Sequence, residues 1–123
     1  MVFQSKHISG IGRGKEIGFP TMNLAVVEDI ILEDGIYAAW IMINDKPYKG
    51  ALHYGPIPTF NQKDNTMEVH LIDVTDEDFP ETKDVKIEID IVQKLRDIKR
   101  FLDPADLTEQ IARDVDYVSA LLK

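Results

Sequence analysis

Apolar residues recur at every second position through most of this chain, and that period predicts strands. The most regular run is 85–91, where Val85, Ile87, Ile89 and Ile91 alternate with Lys86, Glu88 and Asp90. In 67–74, Met67, Val69 and Leu71 share one face, which leaves Glu68 and His70 together on the other. Ile36 to Ile43 is almost wholly apolar, and its length and aromatic content predict a buried strand rather than a helix. Asn44-Asp45 follows, two residues that tolerate positive φ, so a tight hairpin turn and a return strand over about 46–54 are expected. Weaker extended patterns cover 2–8, ended by Gly10, and 21–27. Polar, acidic or proline-bearing connectors fill 28–35, 55–65 and 75–84.

The period changes only at the C-terminus. Asp103 is placed to cap a helix, Pro104 suits its first position, and Leu107, Ile111, Val115, Val118 and Leu122 form one stripe. Arg113, Asp114 and Asp116 lie mostly off that stripe. The chain thus reads as about six strands and one helix, with no alternation of strand and helix. A small antiparallel set hides its edges by closing. The expected fold is mainly β, a six-stranded antiparallel closed barrel with a long C-terminal α-helix over one end or side. With 123 residues, 44% of them hydrophobic, the chain is expected to form a single domain over 1–123.

Composition narrows the function classes. The absence of cysteine excludes disulfides and thiolate metal sites and fits a reducing, cytoplasmic setting. His7, His53 and His70 stand at no metal-ligand spacing. No signal-peptide core or membrane-length apolar run occurs. A net charge of -8 argues against general nucleic-acid binding. The charge is uneven, however: residues 1–20 carry Lys6, Arg13 and Lys15 against Glu16 alone. A basic loop on an acidic body suits a small anion.

That loop is Gly10 to Asn23, G-I-G-R-G-K-E-I-G-F-P-T-M-N. Its glycines permit backbone N–H groups to approach an anion closely. It matches neither the P-loop nor the dinucleotide fingerprint, because it leads into Pro20-Thr21 and a strand. A flexible connector would carry the same glycines. Thr21 and Asn23, two apart on an extended chain, present hard oxygens on one face, as a Mg²⁺ site or as ordinary turn caps. Glu68 is a candidate general base or a solvated carboxylate. Arg96 and Arg100 are candidates to reach a ligand or are simply solvated.

The run G-I-G-R-G-K-E-I-G-F-P-T-M-N-L resembles the signature of riboflavin kinases, including the kinase module of bifunctional FAD synthetases. D-G-I-Y-A-A-W, G-P-I-P-T-F at Gly55–Phe60, M-E-V-H at Met67–His70 and K-L-R-D-I-K-R-F at Lys94–Phe101 resemble further family segments in the same order. The resemblance implies transfer of the ATP γ-phosphate to the ribityl 5′-hydroxyl of riboflavin, giving FMN. By position, it implies Glu68 as the base and Thr21 and Asn23 as holders of Mg²⁺. It implies Gly10, Gly12, Arg13, Lys15, Gly18, Pro20 and Thr21 around the nucleotide, and Arg96 and Phe101 near the flavin. The implied partners are ATP/ADP and riboflavin/FMN, with no nucleic acid, no membrane and a monomeric state.

Two segments depart from the family pattern. His53-Tyr54-Gly55 stands where Asn-Ile-Gly or Ser-Ile-Gly is usual, and E-D-F-P-E-T replaces a common Tyr-Gly pair after the acidic turn. The competing expectation is a catalytically weak flavin- or nucleotide-binding barrel acting as a regulatory or interaction module. Because the chain begins at the first strand, adenylylation of FMN is not expected of it.

Overall fold

The computed structural model describes residues 1–8, 20–27, 30–55, 66–75, 77–99 and 101–122, and among them seven strands and one helix form. The strands are β1 (Val2–Ser5), β2 (His7–Ile8), β3 (Thr21–Leu24), β4 (Gly35–Ile43), β5 (Lys46–Gly55), β6 (Thr66–Leu71) and β7 (Ile87–Arg96). The helix is α1 (Pro104–Leu121). All strands pair antiparallel in one sheet of order β1-β7-β4-β5-β6-β3-β2.

The expected six-stranded closed barrel is corrected to a curled, seven-stranded sheet. The difference lies at Lys6, where the single strand expected over 2–8 splits. β1 pairs with β7 at one edge and β2 pairs with β3 at the other, so the two edge strands are consecutive in the chain. The sheet twists between its edges, and one straight strand cannot follow both. The bend is held by the Ala25 N–H donating to the Lys6 carbonyl at 2.9 Å and by Ser5 Oγ donating to the Ala25 carbonyl at 2.6 Å.

The inner face carries the main core, with Phe3, Met22, Leu24, Ile41, Leu52, Met67, Val69, Ile87 and Ile89 in one cluster. Phe79 of the acidic loop packs against this inner cluster. The outer face carries a second, smaller cluster. Ala38 and Ala51, register partners on β4 and β5, form a low bed on which Val118 and Leu122 of the α1 segment settle with Ile72. The helix therefore covers one side of the sheet.

Local signals behave as their chemistry dictates. Asn44 and Asp45 take φ of 53° and 64°, the geometry of a tight hairpin. The Asp103 side chain accepts from the Ala105 N–H at 2.9 Å and Pro104 begins α1, a cap worth about 1 kcal/mol. Two expectations need correction. Asp114 is not off the apolar stripe but buried on it, three residues from Ile111. β7 starts at Ile87 and runs on to Arg96, beyond the point where alternation stops. The reason is a pair of irregularities against β4: Ala39 faces Ile91, Ala38 faces Gln93, Tyr37 faces Lys94 and Ile36 faces Arg96. Each bulge adds one residue to β7, and two together restore the original parity.

Register is strongly specified in β6. A one-residue slip would expose Met67, Val69 and Leu71, each at most 2% exposed, and turn Glu68 and His70 inward. At about 1.5–3 kcal/mol per side chain, the slip forfeits roughly 5 kcal/mol or more. Core packing therefore keeps Glu68 on the outer face.

The inner face also dictates Gly50. A Cβ there would stand 2.7 Å from Val69 Cγ2 and 2.9 Å from Ile41 Cγ1. Gly50→Ala is expected to destabilise the domain by about 1–3 kcal/mol through overpacking. Urea unfolding should show a lower midpoint with an unchanged slope.

Candidate functional site

The outer face of the sheet gathers the polar residues that alternation excludes from the core. Register carries one row across five strands: Asn23 on β3 faces Glu68 on β6, which faces His53 on β5, which faces Ile36 on β4, which faces Arg96 on β7. At about 4.8 Å per strand, the row spans roughly 19 Å. A parallel row beside it runs Thr21, His70, Ala51, Ala38, Gln93. Thr21, Asn23, Glu68, His70 and His53 are all half-buried.

At the β3 end, Thr21 Oγ1 donates to Glu68 Oε1 at 2.7 Å. Each carboxylate oxygen accepts more than one bond, so Glu68 keeps accepting capacity, and the Thr21 hydroxyl keeps lone pairs for another partner. Pro20, half-buried, enters this corner with its carbonyl accepting from the Leu71 N–H at 3.1 Å, which ties the start of β3 to the end of β6. Gly10, Gly12, Arg13, Lys15 and Gly18 lie outside the described residues, as do Arg100 and most of the Gly55–Phe60 segment. Among the described residues, no group of three or more His, Cys, Asp or Glu is arranged to hold a metal ion. A cation at this corner would meet the neutral oxygens of Thr21 and Asn23 and the carboxylate of Glu68, oxygens of the kind Mg²⁺ takes when phosphate and water complete its shell.

At the β7 end, Arg96 meets Asp114 of α1 in a forked pair. Nε donates to Oδ1 at 3.0 Å and Nη2 donates to Oδ2 at 2.8 Å. Arg96 Nη1 also donates to the Asp97 carbonyl at 3.0 Å, and Gln110 Nε2 donates to Asp114 Oδ1 at 3.1 Å. The two charged side chains are 16% and 8% exposed, so this is a shielded clamp between helix and sheet. Three Arg96 nitrogens are thus engaged within the fold. Phe101, half-buried, lies in the short segment between Arg96 and the α1 cap.

The rim below Arg96 is built from further pairs. Lys94 Nζ bridges Glu33 and Asp97, each at 2.7 Å. Asp97, then Glu33, hold its ammonium well above the usual lysine range, and Lys94 in turn holds the Asp97 carboxyl below its own. These partners are exposed, and such pairs contribute little stability. Tyr37 donates its hydroxyl to the Glu33 carbonyl, and burial pushes its phenol up. Gly55, with φ of +134°, closes β5 against the same rim, where a Cβ would stand 2.7 Å from Ile98 Cδ1.

Two other features stand apart from the row. His7 Nδ1 lies 2.6 Å from the hydroxyl of buried Thr82 and tethers the acidic loop to β2. A polar cleft lined by Gln4, Asn44, Asp45, Asp84, Lys86 and Glu88 contains none of the expected site residues. Within the described residues, then, Pro20, Thr21, Asn23 and Glu68 gather at the β3–β6 corner, while Arg96 stands at the β7 end and Phe101 follows it by five residues in the chain. Sequence inspection missed Asp114 as the Arg96 partner, although its place on the apolar stripe was readable. It also missed His53 as the neighbour of Glu68, for which no local signal exists.

The sequence profile of the riboflavin kinase (flavokinase) family matches residues 1–122. The bifunctional riboflavin kinase/FMN adenylyltransferase of Bacillus subtilis is 33% identical over 94% of this chain, and that of Escherichia coli K12 is 32% identical over 87%. The RNA-binding riboflavin kinase RibR of B. subtilis is 31% identical over 91%. The chain spans only 38%, 33% and 47% of the lengths of these three relatives. A solved structure titled as a macrolide-efflux protein from Streptococcus pneumoniae superposes with a TM-score of 0.79 at 22% identity, covering 96% of this chain and 38% of that one, a likeness of fold. Among the described residues, no helix is long and apolar enough to cross a membrane.

Removing one partner of a shielded ion pair leaves the other charge uncompensated, at a cost of about 3–5 kcal/mol. With Arg96 still partly exposed, Asp114→Ala is expected near the low end, about 3 kcal/mol. Replacing both partners by apolar residues of similar volume should recover much of that loss. Urea unfolding of the single and double variants measures both.

Proposed function

The chain belongs to the riboflavin kinase family, and we propose that it transfers the γ-phosphate of ATP to the 5′-hydroxyl of riboflavin, yielding FMN and ADP. The observation that carries the proposal is the trio at the β3–β6 corner, where Asn23 faces Glu68 across the ladder and Thr21 donates to Glu68 at 2.7 Å. A carboxylate beside two neutral oxygens is what such a transfer needs. Phosphoryl transfer depends on position and charge neutralisation rather than on covalent intermediates.

In this proposal Glu68 accepts the proton of the attacking hydroxyl, and the Thr21 hydrogen bond fixes the direction of its carboxylate. Thr21 and Asn23 hold Mg²⁺, which supplies positive charge against the phosphates when bound. Gly10, Gly12, Arg13, Lys15, Gly18 and Pro20 belong to the segment proposed to cradle the nucleotide. The flavin extends along the outer face toward Arg96 and Phe101. Because Arg96 is already engaged by Asp114 and the Asp97 carbonyl, its part is to hold the 97–101 segment in place, and Phe101 offers the aromatic face. FMN adenylylation and RNA binding are named for relatives much longer than this chain, and neither is proposed for it.

Riboflavin with Mg-ATP is expected to yield FMN and ADP, resolved by chromatography. Glu68→Gln should lower turnover by about 10²–10⁴-fold while nucleotide affinity is retained. Flavin binding with no FMN formed under any divalent cation would assign the chain instead to the non-catalytic, flavin-binding reading.

A further inference from the structure

Two cations of β7 converge on Asp97, the first residue after the strand. Arg96 Nη1 donates to its carbonyl at 3.0 Å, and Lys94 Nζ pairs with its carboxylate at 2.7 Å. Arg96 is tied to α1 by Asp114, whereas Lys94 reaches the connector ahead of β4 through Glu33 at 2.7 Å. We propose that Lys94 is a positioning residue: it latches the 97–99 segment to the 33–34 connector and so fixes the end of the outer row where the flavin is proposed to lie. The inference rests on that placement of the flavin.

The latch is built into the packing. Lys94 faces Tyr37 across the β4–β7 ladder, and its stem lies against buried Gly35. A Cβ at Gly35 would stand 2.6 Å from Lys94 Cε and 2.9 Å from the Arg96 carbonyl oxygen, so the missing side chain is what admits the stem. Glu33 is held too, because the Tyr37 hydroxyl donates to its carbonyl. The same two segments meet again at Gly55, where a Cβ would stand 2.7 Å from Ile98 Cδ1 and 3.0 Å from Asp34 Cγ. Residues 33–34 and 97–98 are thus neighbours at two points, and the Lys94 bridge is the charged one.

An exposed ion pair usually contributes little, because ordering two long side chains offsets the Coulomb gain. Here part of that ordering comes from other contacts: Gly35 confines the Lys94 stem, and Tyr37 confines the Glu33 backbone. Lys94 is half-buried while Glu33 and Asp97 are exposed, so the bridge acts on local position more than on global stability. Its exposed carboxylates also make it sensitive to salt, unlike the shielded Arg96–Asp114 pair.

Lys94→Met keeps the stem and removes both pairs. Its urea midpoint should match the parent's, while riboflavin binding, read by flavin fluorescence with saturating Mg-ADP, should weaken about three- to fivefold. Raising NaCl from about 0.05 M to about 0.5 M should weaken binding to the parent by a similar factor and to Lys94→Met much less, since riboflavin itself is uncharged. Glu33→Gln, which acts on the 97–99 segment through Lys94, should weaken binding in the parent and add nothing in the Lys94→Met background. Equal effects of Glu33→Gln in the two backgrounds, or unchanged binding in Lys94→Met, overturn the proposal. Backbone NMR order parameters need no ligand: Ile98 and Lys99 should fall below the rigid value of about 0.85 in Lys94→Met, while β6 keeps it. Unchanged order at 98–99 also overturns the proposal. A parent chain that binds no riboflavin refutes the flavin placement and this role with it, and the order parameters then tell that failure from the absence of a latch.

Discussion

Everything at the candidate site depends on the locked register of β6. Met67, Val69 and Leu71 can be buried only if Glu68 and His70 face outward, and a slip forfeits roughly 5 kcal/mol or more. Core packing on one face thus sets the placement of polar chemistry on the other. Once β6 is fixed, its neighbours fix what Glu68 faces: Asn23 in register and Thr21 by a hydrogen bond through β3, and His53 in register through β5. No side chain in this corner is held by a loop among the described residues, which is how a hydrogen bond of 2.7 Å spans residues 47 apart in sequence.

The far end of the row relies on a second device. β7 carries two bulges against β4, and together they bring Arg96 back to the outer face. There it meets Asp114, the one charged side chain among the buried residues of α1. The forked pair orients the helix on its bed of Ala38 and Ala51, and Arg96 Nη1 also holds the Asp97 carbonyl. The α1 cap at Asp103 begins just beyond, seven residues after Arg96 at the end of β7.

Much of the scaffold was legible because it is local. Alternation located most of the strands, Asn44-Asp45 marked the hairpin, and Asp103-Pro104 marked the helix start. The face occupied by Glu68 followed from the same period. What was not legible is long-range. Nothing local to Lys6 announces that residues 2–8 divide between two sheet edges, so six strands were expected where seven form. Alternation cannot foresee bulges, which is why the expected strand stopped at Ile91 and Arg96 seemed only to flank it. Strand adjacency decides that Glu68 stands opposite Asn23 and His53, and adjacency has no signature in either strand alone. Asp114 lay on the helical stripe from the start, yet a charge there became intelligible only with Arg96 opposite.

In the function proposed above, one outer-face row joins a phosphate corner at β3 to a flavin end at β7. Mapping backbone amide shifts in the intact chain tests it most directly. Mg-ADP alone should perturb Thr21 to Leu24 and Glu68, and riboflavin added afterwards should perturb His53 and the Arg96–Phe101 segment. Shifts confined to the cleft around Asn44, Asp84 and Lys86, with the row unmoved by either ligand, would contradict it.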